Sequence, residues 1–362
     1  MSVQSQGNVQ ERLSLSLPGL GEVIDELRHD RALYLAMAAY IATAAGLAYA
    51  LGKGEHLLAL SYAPRLLRSA LAAGLVALLV IEVPRAIAAA PGGPLRQLAV
   101  QAGRRVTPRL IAGLVLFTAV SLFYGAFTTI KTLLPSLAPF GLDPWAAHLD
   151  AALHGGHDPW RLLQPVLGHH AVTRAIQFLY LPVWTTSLCA LTAALATSRR
   201  LAHLRTRFYW TFLVAWIVLG NVMAAVVMTG GPVYYGHLTG DTARFAPLLS
   251  YLDFSRGLPL SSVDVQAMLW SAYANNAASL GSGISAFPSL HVAMATLFAL
   301  AARHIHWGLG LAYAAFAVAI AAGSVHLGWH YAIDGYASAL TVAAVWWAAG
   351  RLLRRPQSAV QM

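Results

Sequence analysis

The sequence predicts an all-α protein: a polytopic transmembrane helical bundle of about eight spans, with short amphipathic helices on one face. Three observations predict it. Of the 362 residues, 58% are hydrophobic and only 10% are charged, whereas a soluble domain carries roughly 25% charged residues. Apolar runs of about 20 residues, the length that crosses a bilayer, recur along the chain. Most of the basic residues fall between these runs.

Runs of spanning length are read at 32–52, 66–83, 109–130, 172–195, 208–229, 288–303, 307–325 and 333–350. The loop after the second run carries Arg85, Arg96, Arg104, Arg105 and Arg109, and the loop after the fourth carries Arg199, Arg200, Arg205 and Arg207. The tail carries Arg351, Arg354 and Arg355. Positive loops stay in the cytoplasm, so these segments and both termini are expected there. The intervening loops 131–171 and 230–287 are nearly neutral and are expected outside. The formal charge of +10 is thus a topology signal and an attraction to anionic headgroups, not a nucleic-acid surface. The acidic Glu22, Asp25, Glu26 and Asp30 precede the first run with no basic stretch leading into it, so that run is retained and not cleaved as a signal peptide. Cys189 is alone, which excludes an intrachain disulfide. A composition heavy in Ala and Arg points to a bacterial inner membrane, with the outer face periplasmic.

The outer loops contain structure of their own. Residues 143–154 read as an amphipathic segment with Pro144 in its first turn, broken by Gly155-Gly156. Residues 260–279 read similarly, with Ser261 or Ser262 as the cap. Such helices would roof a site that opens outward.

Two polar clusters lie at the mouths of apolar runs: Phe287-Pro288-Ser289-Leu290-His291 and His330-Tyr331-Ala332-Ile333-Asp334. Ionisable groups at membrane depth are costly and mark function by default. The topology places both clusters on one face, together with Gly231-Pro232-Val233-Tyr234-Tyr235 at the end of the fifth run. His330 and Asp334 are four apart, on one face of a helix. A carboxylate that accepts Nδ1–H fixes the imidazole tautomer and leaves Nε2 as a directed nucleophile. Pro288 suits a first helical turn, leaving N–H donors and the Ser289 hydroxyl for a phosphate. His291, one turn in, is placed to protonate a leaving oxygen.

These motifs resemble those of the type 2 phosphatidic acid phosphatase superfamily. The resemblance is greatest to the branch of inositol phosphorylceramide synthases and bacterial inositolphosphotransferase-like proteins. It rests on residues 281–335, with a six-helix core expected over about 110–350; Lys131-Thr132-Leu133-Leu134-Pro135 and Gly231-Pro232 resemble that branch more weakly. It implies His330 as the nucleophile that forms a phosphohistidine, Asp334 as its support, His291 as the general acid and Ser289 as a phosphate ligand. Pro288, Ser324, Lys131 and Tyr235 complete the expected substrate-binding set. No cofactor and no metal are implied. The expected partners are a membrane phospholipid donor and a lipid-alcohol or water acceptor. The expected organisation is a cytoplasmic segment 1–30, two additional membrane helices in 31–105, a catalytic membrane domain 106–352 and a cytoplasmic tail 353–362.

The chain departs from the phosphatases of the superfamily. Leu290 stands where they have Gly, Gly323-Ser324 where they have Ser-Arg, and their first, basic motif has no clear counterpart. Lys131, Arg244 and Arg256 are the replacement cations available. These losses are shared with the lipid phosphotransferase branch, so transfer of an inositol-phosphate-like headgroup is favoured over hydrolysis. Two other readings compete. His326, His330 and Asp334 share one face if the helix is continuous, which would make a metal-dependent hydrolase, but Gly328 argues for a break. A non-enzymatic lipid transporter would use the histidines as a proton relay. His154, His157, His169 and His170 are read as solvated loop residues, Tyr331 and Trp329 as interfacial packing, and Tyr234 and Tyr235 equally as belt residues or substrate contacts.

Overall fold

A computed structural model describes residues 18–62, 64, 68, 83–89, 107–279 and 281–353. Every regular element among them is helical. In chain order these are α1 (Leu20–His29), α2 (Arg31–Ala50), α3 (Val83–Ala89), α4 (Pro108–Leu137), α5 (Asp143–Leu153), α6 (Pro159–Leu167), α7 (His170–Thr197) and α8 (Ala202–Val226). There follow the short α9 (Tyr235–Thr239) and α10 (Ala246–Leu252), then α11 (Ser262–Ala274), α12 (Leu290–Ala302), α13 (Trp307–His326) and α14 (Ala332–Leu352).

The protein is an integral-membrane helical bundle. Among the described residues α2, α4, α7, α8 and α13 are long and apolar enough to cross a membrane, fewer than the eight runs read from the sequence. Most of the run 66–83 lies outside the described residues. The run 288–303 forms a helix of 13 residues, about 20 Å long against a hydrocarbon core of roughly 30 Å. Its first residues precede the helix instead of extending it: Pro288 lines the central cavity, and Ser289 is the buried cap. The run 333–350 forms the 21-residue α14, whose ends carry Asp334 and Arg351.

Local sequence explains the helices that position the site. Thr107 caps α4 by accepting the Leu110 N–H at 3.1 Å, with Pro108 in the first turn. Leu116, Val120, Phe123 and Phe127 then recur at helical spacing as a buried stripe. In α7 and α8 the regular turn widens to π geometry over Leu179–Val183 and Ala215–Met223. The first of these holds Pro182, which lacks the N–H an α-turn requires. An extra residue per turn rotates the face that follows it, and Tyr180, Trp184, Trp216 and Gly220 all line the central cavity. Both amphipathic segments read from the sequence are present as α5 and α11. Gly155 and Gly156 have φ of +69° and +86° beyond the former, and Ser261 caps the latter.

The helix α2 packs on α4, which also packs on α7, and α12 sits between α13 and α14. Lys53 after α2 reaches Ser136 at the end of α4 (2.9 Å), and Thr173 near the start of α7 meets His326 at the end of α13 (2.9 Å). The C-terminal ends of α2, α4, α8 and α13 therefore share one level with the N-terminal ends of α7, α12 and α14. At the opposite level α1 is tied to the bundle by Glu26–Arg109 (2.9 Å) and by a buried Asp30–Arg205 pair. Two arginines that read as loop cations are thus paired and buried.

Candidate active site

His330 lies in the five-residue link between α13 and α14. Gly328 has φ +74° there, so α13 ends at His326 and the chain turns back. The Trp329 and His330 N–H groups donate to the Ser324 carbonyl at 3.0 and 3.2 Å, and Val233 N–H donates to the Gly328 carbonyl at 3.0 Å. The His330–Asp334 pair read from i, i+4 spacing forms, with Nδ1 3.2 Å from Oδ2. It forms differently from a helical pair, because α14 begins only at Ala332. Asp334, in the first turn, reaches back past the cap; the same oxygen accepts the Tyr331 N–H at 3.0 Å. Since a carboxylate only accepts, Nδ1 carries the imidazole proton and Nε2 is left with its lone pair. His330 lines the central cavity, whereas Asp334 is wholly buried behind it.

His291 enters the same cavity from the first turn of α12. Its ring is sandwiched between Tyr180 and Trp184, both with centroids at 4.3 Å. Trp184 Nε1 also donates to the His291 carbonyl at 3.0 Å, fixing helix and ring together. Ser289 is the N-cap of α12, not a residue of its first turn, and its hydroxyl faces the Val292 N–H at a long 3.5 Å. Pro288 precedes the cap, joined to Phe287 by a cis peptide, and lines the cavity. The expected first-turn Pro288 is corrected accordingly. Ser289 N–H donates to the Asp334 carbonyl at 3.3 Å, so the two motifs are joined through backbone.

The cavity measures about 540 Å³. Its walls are largely aromatic and aliphatic, with Tyr124, Phe127, Trp216 and Leu188 at depth. Lys131 lines it beside His291 and His330 and has no acidic partner among the described residues. The other two replacement cations are engaged elsewhere. Arg244 donates to Asp158 (3.1 and 2.7 Å) and to the Ala147 carbonyl, and the exposed Arg256 pairs with Asp253. Ser324 is buried and donates its hydroxyl to the Ala321 carbonyl at 2.8 Å, off the cavity wall. Tyr235 also misses the cavity, packing against Phe245 under Arg244; its neighbour Tyr234 lines the cavity instead. His326 turns to Thr173, so the His326, His330, Asp334 face does not assemble, and no metal-ligand group of three occurs among the described residues. Two histidines read as solvated are engaged: His154 Nε2 meets the Tyr336 hydroxyl at 2.9 Å, and His170 stacks on Phe254 at 3.9 Å.

Two carboxylates of α5 hold this arrangement together. Asp143 accepts the Gly230 N–H (3.1 and 2.9 Å), the Gly231 N–H (2.9 Å) and the Tyr331 hydroxyl (2.9 Å). Burial pushes its carboxyl up from the ordinary range, against the pull of those three donors. Asp150 accepts the Ala332 and Ile333 N–H groups at 2.9 and 3.1 Å, filling the open N-terminus of α14. Burial raises its carboxyl likewise, opposed by those two N–H groups.

A family model described as the PAP2 superfamily matches residues 144–348, more than half of the chain. The chain belongs to the PAP2 superfamily. Neither a curated protein nor a solved structure matches it. As a PAP2 superfamily member it is a membrane enzyme of the lipid phosphatase and phosphotransferase type. His291, His330, Asp334 and Ser289 fall inside the match, whereas Lys131 and Asp143 fall outside it. The Leu290 departure has a structural counterpart in α8. A Cβ on Gly220 would sit 2.8 Å from Leu290 Cδ1 and 2.6 Å from Phe127, so the missing side chain there makes room for the larger residue.

Proposed function

We propose that this PAP2 superfamily member is a lipid phosphotransferase that works through a phosphohistidine. The observation that carries the reading is one apolar cavity lined by His330, oriented by Asp334, together with His291 and Lys131. In the first step His330 Nε2 attacks phosphorus, the bond from phosphorus to the leaving oxygen breaks, and His291 gives that oxygen its proton. Asp334 stabilises the charge that develops on the imidazole. In the second step an acceptor hydroxyl attacks the phosphohistidine, His291 takes its proton, and the P–N bond breaks. Lys131 balances charge on the phosphoryl oxygens, and Ser289 and Pro288 shape the phosphate end.

An alcohol acceptor gives transfer, and water gives the phosphatase reaction. The aromatic walls favour transfer by keeping water from the intermediate. Leu290 and the absence of Ser-Arg at 323–324 favour the inositol phosphorylceramide synthase-like branch, hence an inositol-phosphate-like headgroup. On the loop charges, the site opens on the periplasmic side of a bacterial inner membrane with both termini cytoplasmic, and 106–352 is the catalytic domain.

Purified protein in detergent, incubated with phospholipid labelled at phosphorus, is expected to acquire an acid-labile, base-stable label that His330→Ala abolishes. Unchanged turnover in His330→Ala would sink the assignment. Recovery of the label in a new lipid rather than in free phosphate separates transfer from hydrolysis. Lys131→Met is expected to lower kcat/KM by roughly 10–100-fold, the loss of one charge-assisted contact of about 1.5–3 kcal/mol. A change under twofold would move the phosphate away from Lys131.

A further inference from the structure

A second cavity of about 360 Å³ lies beside the first, and the two share Gly283 and Ile284 as a wall. Its polar side chains come mostly from segments outside the matched residues, Lys53 and His56 after α2 and Thr132 and Ser136 on α4, and the stretch around Asn276 after α11 closes it. No carboxylate is among the described residues that line it; that of Glu55 comes within 3.9 Å of His56 Nε2. Lys53 Nζ donates to Ser136 Oγ at 2.9 Å and to Asn276 Oδ1 at 2.7 Å, both neutral acceptors, so its charge is uncompensated there.

His56 is only 2% exposed and its tautomer can be deduced. The Thr132 hydroxyl donates to the Thr129 carbonyl at 2.8 Å, so at 3.1 Å from His56 Nδ1 it accepts. Nδ1 therefore carries the proton, and Nε2 presents a lone pair with no hydrogen-bond partner. The Glu55 carboxylate, 3.9 Å away, cannot donate to it.

We propose that this cavity binds a phosphate-type oxyanion that still carries a hydroxyl. A P–O⁻ oxygen accepts from Lys53 while the P–OH donates to His56 Nε2. Free phosphate and the headgroup of a phosphate-monoester lipid offer the same chemistry. The site is independent of whether His330 attacks phosphorus.

The test is histidine-selective carbon-13 NMR on the full chain in detergent, with the His56 signal assigned by its loss in His56→Gln. Inorganic phosphate is titrated into the wild type. Dihexanoyl phosphatidic acid is titrated into His330→Ala, with released phosphate assayed in the same sample so that lipid binding is read apart from turnover. A saturable shift of the His56 signal is expected in at least one arm. Lys53→Met should weaken it at least tenfold while the other histidine signals stay in place. Sulfate, which has no proton to donate at neutral pH, should bind at least tenfold more weakly than phosphate. A shift with the lipid alone assigns a headgroup, and with phosphate alone a free ion. A His56 signal unmoved by either ligand up to about 10 mM, the edge of meaningful affinity, overturns the proposal. So does a shift that Lys53→Met leaves intact, or one that sulfate reproduces.

Discussion

Asp334→Asn is expected to lower the rate of enzyme phosphorylation by about three to four orders of magnitude while leaving the fold in place. The side chain is fully buried, and its Oδ2 accepts from both His330 Nδ1 and the Tyr331 N–H. An asparagine that places its oxygen at the Oδ2 position keeps both hydrogen bonds, so the tautomer and the start of α14 survive. What it loses is charge. In the proposed reaction the imidazole becomes cationic as Nε2 bonds to phosphorus, and a carboxylate 3.2 Å from Nδ1 stabilises that cation. At an effective dielectric near 20 this is worth about 5 kcal/mol, and each 1.36 kcal/mol is about tenfold in rate. The amide nitrogen would occupy the Oδ1 position, which is buried without a hydrogen-bond partner, at a stability cost of about 1–3 kcal/mol. Rapid-quench measurement of label uptake, beside a thermal melt in detergent, separates the two effects. A rate loss below tenfold with an intact melt would mean that His330 does not become cationic. Asp334→Ala should instead lose both rate and stability, because the Tyr331 N–H then has no acceptor.

The parts of this site that were legible in the sequence are those written locally. His291 and His330 interrupt apolar runs, where charge-capable groups are costly and mark function by default. The His330–Asp334 contact was legible from spacing, though its geometry is that of a helix cap rather than a helix face. Lys131 was one of three candidate cations, singled out only by the weak resemblance of Lys131-Thr132-Leu133-Leu134-Pro135, and it alone of the three lines the cavity. Long-range partners left no such mark. Asp143 contacts Tyr331 across 188 positions, and Asp150 contacts Ala332 across 182; in the sequence both are acidic residues of a neutral loop. Their only local signal is placement seven apart on one amphipathic segment. Arg244 illustrates the converse: a cation near the motifs is held by Asp158 on another loop, and no periodicity announces that pairing. Tyr235 missed the cavity for a similar reason, since the left-handed turn at Gly231 (φ +93°) and the short helical turn after it decide which of two adjacent tyrosines faces inward.

Asp143→Ala is expected to cost more stability than any other single change at this face, and most of the activity with it. Three buried donors lose their acceptor at once: the Gly230 and Gly231 N–H groups and the Tyr331 hydroxyl. An unsatisfied buried donor costs about 1–3 kcal/mol, so three together approach the whole stability of an ordinary domain, about 5–15 kcal/mol. The activity follows because these donors belong to the two segments that frame His330. Gly231 packs so closely on the His330 loop that a Cβ there would lie 2.5 Å from the Trp329 carbonyl oxygen. Releasing the Gly230-Gly231 turn therefore frees the loop of the proposed nucleophile, and a displacement of about 1 Å costs on the order of 10²-fold in rate. Two controls make the result specific. Tyr331→Phe removes one donor together with its need for an acceptor, and should cost under about 1 kcal/mol. Asp143→Asn retains one accepting oxygen and should fall between the two in thermal melts and in turnover. Should Asp143→Ala melt within a degree or two of the wild type and turn over normally, the Asp143 carboxylate would not be what holds the two motifs in register, and the bundle packing beneath them would have to do so alone.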